Sequence, residues 1–168
     1  MELSQADREI VSRLGAAQSI LEVGCGDGRL TCYLAQKTGC KVIGVDLSRS
    51  GFRKAKKLAH KTGVDHLMRC IKGDATHLNF QNGQFDVAIL SYSLHHIEAP
   101  PAALREVHRV LRSGGSIMVS EHELKEKGLK SGCYHFTLTE LTETLLETGF
   151  GGICWWQVEG DMVLVASK

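Results

Sequence analysis

Ile20-Leu21-Glu22-Val23-Gly24-Cys25-Gly26-Asp27-Gly28, with Asp46 closing the next apolar run, is the stretch whose reading decides the fold. Ile20 to Val23 has the character of a short buried strand, three glycines follow within five residues, and helical periodicity begins at Leu30. This is a strand-turn-helix unit. Glycine suits such a turn because it accepts positive φ and carries no side chain to hold a ligand off the backbone. The helix that follows leaves unpaired N–H groups facing the crevice. The spacing departs from the dinucleotide fingerprint, G-x-G-x-x-G with an acid about 20 positions on. Counted from Gly24, the third glycine belongs where Arg29 stands, and Gly28 comes one place early.

Outward from this unit, strands and helices alternate. A helix from about Gly28 to Lys37 ends at Gly39, and Lys41 to Asp46 is a nearly all-apolar second strand, as a parallel strand covered on both faces must be. Ser48 is placed to cap the next helix, whose Phe52, Ala55, Leu58 and Ala59 recur at helical spacing. His66 to Lys72 is a third strand and Phe85 to Leu90 a fourth. Pro101 suits the first turn of a helix carrying Leu104, Val107, Val110 and Leu111; Ser113-Gly114-Gly115 breaks it before a fifth strand, Ser116 to Ser120. From His122 to His135 periodicity is lost. Thr137-x-x-Glu140 then opens a helix, and Ile153–Val158 with Met162–Ala166 form a hairpin turning at Glu159-Gly160. The expected architecture is α/β: a Rossmann-like, doubly wound, seven-stranded and mostly parallel sheet finished by a C-terminal antiparallel hairpin. Residues 1–168 read as one domain, with 1–18 an N-terminal helix or lid and 19–168 the core.

Composition narrows the functional classes. Hydrophobic residues at 43% and charged residues at 23% are those of a globular protein, and no apolar run is long enough to span a bilayer. The N-terminus lacks the features of a signal peptide, so a cytoplasmic location is the default and no membrane partner is expected. Formal net charge is +1, and the one basic cluster, Arg53-Lys54-x-Lys56-Lys57, lies on a helix face, so electrostatics give no reason to expect nucleic acid. The six cysteines contain no C-x-x-C pair and read as reduced thiols.

Glu22-x-Gly24-x-Gly26-x-Gly28 resembles the first motif of the class I S-adenosylmethionine (AdoMet) methyltransferases, and Gly44-Val45-Asp46-Leu47-Ser48 resembles their ribose-binding motif. Gly73-Asp74-Ala75, Phe85-Asp86-Val87 with Leu94-His95-His96, and Leu104-Arg105-Glu106-Val107-x-Arg109-Val110-Leu111-x-x-Gly114-Gly115 follow in family order. The resemblance covers roughly residues 19 to 168 and points to the small-molecule branch that includes the ubiquinone and menaquinone biosynthesis enzymes. Departures are Ser113, Asn79 and Gln81 where prolines are usual. The resemblance implies AdoMet as methyl donor, with S-adenosylhomocysteine as product. It also implies that Asp46 accepts from the ribose diol, that Asp74 takes the adenine amino group with the Ala75 N–H on a ring nitrogen, and that Glu22 and the carbonyl near Ser91 meet the methionyl ammonium. Gly24, Cys25, Gly26, Gly28 and Leu47 complete the expected cofactor set.

A base is needed only where the acceptor must lose a proton. Candidates are His95, His96, Glu121, His122 and His135, of which His95 and Glu121 are placed in the catalytic set; each has a structural alternative, as pocket lining or a bracing carboxylate. Glu121-His122-Glu123 with Cys133-Tyr134-His135 has metal-binding residue types but the spacing of no standard zinc module, so no metal is expected. Trp155-Trp156 reads as part of a sheet edge. Only Met1 to Gln18 and His122 to Phe136 remain to cover a substrate, which predicts a shallow acceptor pocket closed by those segments or by a second subunit of a homodimer. Four functions compete: a small-molecule methyltransferase, an AdoMet-binding module without catalysis, a protein or nucleic-acid methyltransferase, and a nicotinamide oxidoreductase. Ser91-Tyr92-Ser93-Leu94 stands where amino-methylating nucleic-acid enzymes carry Asn/Asp-Pro-Pro-Tyr/Phe, and Arg29 disfavours the oxidoreductase.

Overall fold

The computed structural model describes residues 3–123, 128–130 and 133–168. In chain order the elements are α1 (Gln5–Ser12), β1 (Ser19–Val23), α2 (Arg29–Thr38), β2 (Lys41–Asp46), α3 (Phe52–Thr62), β3 (Met68–Lys72) and β4 (Phe85–Ser91). A short 3-10 turn (Leu94–His96) leads to α4 (Pro100–Val110), β5 (Leu111–His122), β6 (Gly128–Lys130), β7 (Cys133–His135), α5 (Leu138–Glu147), β8 (Gly151–Val158) and β9 (Asp161–Ser167). Seven strands form one sheet in the order β3-β2-β1-β4-β5-β9-β8; β6 and β7 pair apart from it. β1 to β5 are parallel, and β9 lies antiparallel between β5 and β8. The α/β architecture with its terminal hairpin is the expected one.

The apolar runs are explained by cover on both faces. Along β1, Leu21 and Val23 pack with Leu104 of α4 and Leu141 of α5, while Ile20 packs on the other face with Ile10 of α1, Leu34 of α2 and Ala55 of α3. A strand so placed buries every side chain after Ser19, each large apolar one contributing about 1.5–3 kcal/mol.

Three boundaries differ from expectation for local reasons. α3 starts at Phe52 behind Gly51; the Ser48 Oγ instead accepts the Ser50 N–H at 3.1 Å, closing the turn ahead of the helix. β5 runs through Ser113-Gly114-Gly115, because Phe85 pairs with Leu111 and Val87 with Ser116, so the extra residues bulge, with Gly114 at φ 70°. β3 begins at Met68, two residues later than its apolar pattern predicts. The expected capping box of α5 is present in both directions between Thr137 and Glu140.

Two of the motifs are structural. Asp86 Oδ2 accepts the N–H groups of Gln18 and Ser19 at 2.9 and 2.8 Å, and its Oδ1 accepts Arg112 Nε at 2.5 Å, so it ties β1, β4 and β5 together at the end opposite the glycine turn. The Arg112 guanidinium is the main cause holding its carboxyl down at about 2. Glu106 accepts the Leu78 N–H at 2.8 Å and Arg109 Nε at 2.7 Å, and Arg109 donates to the carbonyls of Leu78 and Phe80, pinning the connection before β4 onto α4. No helix among the described residues is long and apolar enough to cross a membrane.

Candidate active site

The strand order reverses between β1 and β4, which opens a crevice at the carboxyl ends of the parallel strands, where ligands bind in such sheets. A cleft of about 800 Å³ occupies it, and Gly24, Gly26, Asp46, Leu47, Asp74 and Ala75 all line it. Gly24 and Gly26 sit at φ 81° and 51°. A Cβ at Gly24 would lie 2.3 Å from Ser93 Cβ, whereas one at Gly26 would meet nothing within 4 Å. The loop is therefore pressed against the segment after β4 at its first glycine and bare at its second. Asp46 braces it: Oδ2 accepts the Gly26 N–H and Oδ1 the Ser48 N–H, both at 2.8 Å. Asp74, just beyond β3, accepts the N–H and Oγ1 of Thr76 at 2.8 Å each, and the backbone bond is the main cause holding its carboxyl below the usual range. Leu47 is 69% exposed at the rim, an apolar side chain with nothing over it.

Glu22, Cys25 and Ser91 line a second hollow of about 440 Å³ that shares Gly24, Gly26 and Tyr92 with the first, so the two are successive parts of one groove. The Cys25 side chain lies over Gly44, where a Cβ would come within 2.7 Å of its own, and a hydrogen bond to Cys70 together with burial pushes its thiol up. Gly28 lines neither hollow; a Cβ there would be 2.5 Å from Ala55 Cβ, so this glycine lets the turn pack on α3.

Glu22 is buried, with the Thr31 hydroxyl donating to Oε2. Burial pushes its pKa up from 4.5 to about 8. A carboxyl whose folded pKa is raised stabilises the fold most below its unfolded value, and that contribution falls as pH rises from 4.5 to 8. The ligand-free wild type is accordingly expected to lose a few kcal/mol over this window relative to Glu22→Gln, whose denaturant unfolding curves measured at successive pH values lack the decline.

Glu121, only 1% exposed, accepts the N–H groups of Leu94 and His95 at 2.9 and 3.3 Å and the Nδ1 of His95 at 2.5 Å. With both oxygens engaged it fixes the 3-10 turn and the tilt of the His95 ring. His95 lines a separate hollow of about 370 Å³ with Ile97, Pro101 and Phe136, and stacks on His135 at 4.8 Å. His96, its neighbour, lines the main cleft instead. Ile97 and Glu98 border both spaces.

Sequence reasoning did not single out Asp7, Tyr92 or Asp161. Tyr92, the first residue after β4, has φ 47° and lines both parts of the groove; its hydroxyl donates to Asp161, which also holds His122 Nδ1 at 2.6 Å. Burial raises the Tyr92 phenol above its ordinary pKa. Such a backbone conformation in a non-glycine residue persists only where its surroundings enforce it. No signal in the sequence marks this set, because Tyr92 and Asp161 stand 69 positions apart. Of the metal-type residues, Glu121 and His122 are engaged as described, and the side chain of Cys133 lies outside the described residues. Among the described residues no three His, Cys, Asp or Glu side chains are grouped around one point. Trp155 is half exposed on β8, and Trp156 carries the Arg13 guanidinium 4.0 Å above its ring.

The profile of the family described as "Methyltransferase domain" matches residues 21–119, which contain the glycine turn, Asp46, Asp74 and the strands they end. The chain belongs to the class I S-adenosylmethionine-dependent methyltransferases. Relatives of this chain include the sarcosine/dimethylglycine N-methyltransferase of Halorhodospira halochloris, 32% identical over 126 residues, covering 71% of this chain and 45% of that protein. Another is the ubiquinone/menaquinone biosynthesis C-methyltransferase of Dinoroseobacter shibae, 32% identical over 117 residues, covering 68% and 47%. The chain thus spans about half the length of these relatives. Among solved structures, a SAM-dependent methyltransferase of Methanosarcina mazei superposes with TM-score 0.80 at 22% identity over 100% of this chain and 99% of that one. The cyclase SpnF superposes with TM-score 0.87 at 22% identity over 96% and 80%. At that identity the two structures establish the fold and nothing further.

Proposed function

We propose that this chain transfers the methyl group of AdoMet to a small-molecule acceptor. The observation that carries the reading is that Asp46 and Asp74, from the ends of neighbouring strands, face one cleft floored by a bare glycine turn. A carboxylate at the first position accepts from both hydroxyls of a ribose, and one strand over the second accepts from the adenine amino group, with the Ala75 N–H on a ring nitrogen. Leu47 covers the base, Gly24 and Gly26 admit the amino-acid tail to the backbone, and Glu22 with the Ser91 carbonyl receives the ammonium. Cys25 and Gly28 shape the turn.

Bound AdoMet supplies a methyl carbon already activated by a sulfonium. The chain's task is then to hold the acceptor in line and keep water out, an alignment that for well-oriented reactants is worth about 7–11 kcal/mol. His95 is the acceptor-side group in this reading: with Nδ1 donating to Glu121, its Nε2 is left as an acceptor for a proton. Glu121 is a positioning residue. The named relatives methylate nitrogen and carbon, which supports a small acceptor of either kind.

Calorimetric titration with AdoMet and with NAD, followed by an acceptor panel of small amines and quinols read out as S-adenosylhomocysteine formed, tests the reading. Binding of AdoMet alone with turnover on one acceptor class is expected. Heat with NAD and none with AdoMet would refute it, and AdoMet binding with no product on any acceptor would leave a cofactor-binding module.

A further inference from the structure

The inner hollow of the groove contains two buried carboxylates contributed by elements far apart in the chain. Glu22 comes from β1 and is 4% exposed; Asp7 comes from α1 and is 8% exposed. Each spends one oxygen on a neighbouring hydroxyl: Asp7 Oδ1 accepts Ser91 Oγ at 2.5 Å, and Glu22 Oε2 accepts Thr31 Oγ1. The Thr31 N–H also bonds the Glu22 carboxyl, whereas the second oxygen of Asp7 has no protein hydrogen-bond partner among the described residues, and both side chains line the hollow. Two acids confined in one hollow repel, and Asp7 is among the influences that hold the Glu22 proton on. The cation bordering the hollow, Arg29, is largely exposed and its Nε is engaged by Asp27 at 3.1 Å. Burying carboxylates in this way is costly unless a positive charge completes the site. The hollow asks for a compact cation with several N–H donors.

We infer that Asp7 is a second carboxylate for the ligand's primary ammonium, so that α1 closes over the groove by gripping the amino group together with Glu22. This rests on the reading that the groove takes AdoMet. α1 is suited to the task. Ser4 caps it by accepting the Asp7 N–H at 3.0 Å, Ile10 anchors its middle in the core, and Arg13 clamps the chain just beyond its end onto Trp156. Its one buried acid is thereby held at the hollow. Charge-assisted bonds of this kind are about twice as strong as neutral ones.

The test uses the full chain and three probes: S-adenosylhomocysteine, its desamino analogue, and 5′-methylthioadenosine, which lacks the amino-acid tail. Asp7→Asn, which preserves shape, is expected to weaken S-adenosylhomocysteine at least tenfold in calorimetry while leaving the other two within twofold. Ser91→Ala, which frees Asp7 from its anchor, is expected to give a smaller loss with the same ligand selectivity. S-adenosylhomocysteine, and not methylthioadenosine, is expected to protect Arg8 and Arg13 from trypsin in the wild type. Equal loss for all three probes in Asp7→Asn, or no loss for any, overturns the assignment of Asp7 and leaves the cofactor reading standing. A wild-type chain that binds none of the three probes overturns both.

Discussion

Asp46→Ala will weaken AdoMet binding roughly 100-fold or more, the largest effect expected of any single side chain in the groove. Its carboxylate has two tasks. It braces the turn through the N–H groups of Gly26 and Ser48, and in the proposed complex it also accepts from the ribose diol. Bonds to a charged acceptor contribute about 1.5–3 kcal/mol each, and truncation also leaves the turn free to relax from the shape that admits the ligand. Asp46→Asn keeps one acceptor oxygen and is expected to lose less. Calorimetry with AdoMet on the two variants provides the check; an Ala variant binding within threefold of wild type would remove Asp46 from the site.

Gly51→Ala is expected to cost about 1–3 kcal/mol of stability and most of the affinity for AdoMet, although Gly51 lines neither part of the groove. Its φ of −83° is ordinary, so conformational strain is not the cause. A Cβ there would lie 2.2 Å from the Gly26 carbonyl oxygen and 2.6 Å from Asp27 Cα, and neither is the end of a flexible side chain. The glycine turn rests directly on the start of α3, and a single methyl group must push it into the cleft. Gly151→Ala is the matched control: a methyl group there would meet no atom within 4 Å, and a change in melting temperature under a degree or two is expected. Thermal unfolding with and without AdoMet measures both quantities, and equal behaviour of the two variants would contradict the packing argument.

The legible part of this protein is the part written in local chemistry. The glycine turn announces itself because positive φ demands glycine, and Asp46 because strand ends in a parallel sheet all open on one side; Asp74 was marked by the family resemblance. The roles within the fourth and fifth motifs were less legible. Glu106 and Arg109 stand in a family-like pattern, yet they hold a loop and line neither part of the groove. Glu121, placed in the catalytic set by its position at a strand end, has both oxygens taken by Leu94 and His95. His95 and His96 are adjacent and of one type, yet one borders the outer hollow and the other the main cleft, which a 3-10 turn decides and a dipeptide does not.

By itself the sequence determined the order of strands and helices, the parallel sheet, the family and the two acids of the main cleft. The first two follow from periodicity and turn chemistry; the family and the two acids follow from the resemblance that the ordered motifs carry. Tertiary structure alone decided that Asp7 meets Ser91 across 84 positions, that Asp161 joins Tyr92 to His122, and that Gly51 carries the glycine turn. The reason is that burial of a charge and contact with a distant backbone depend on how the layers close over one another, and that closure leaves no periodic trace in the chain.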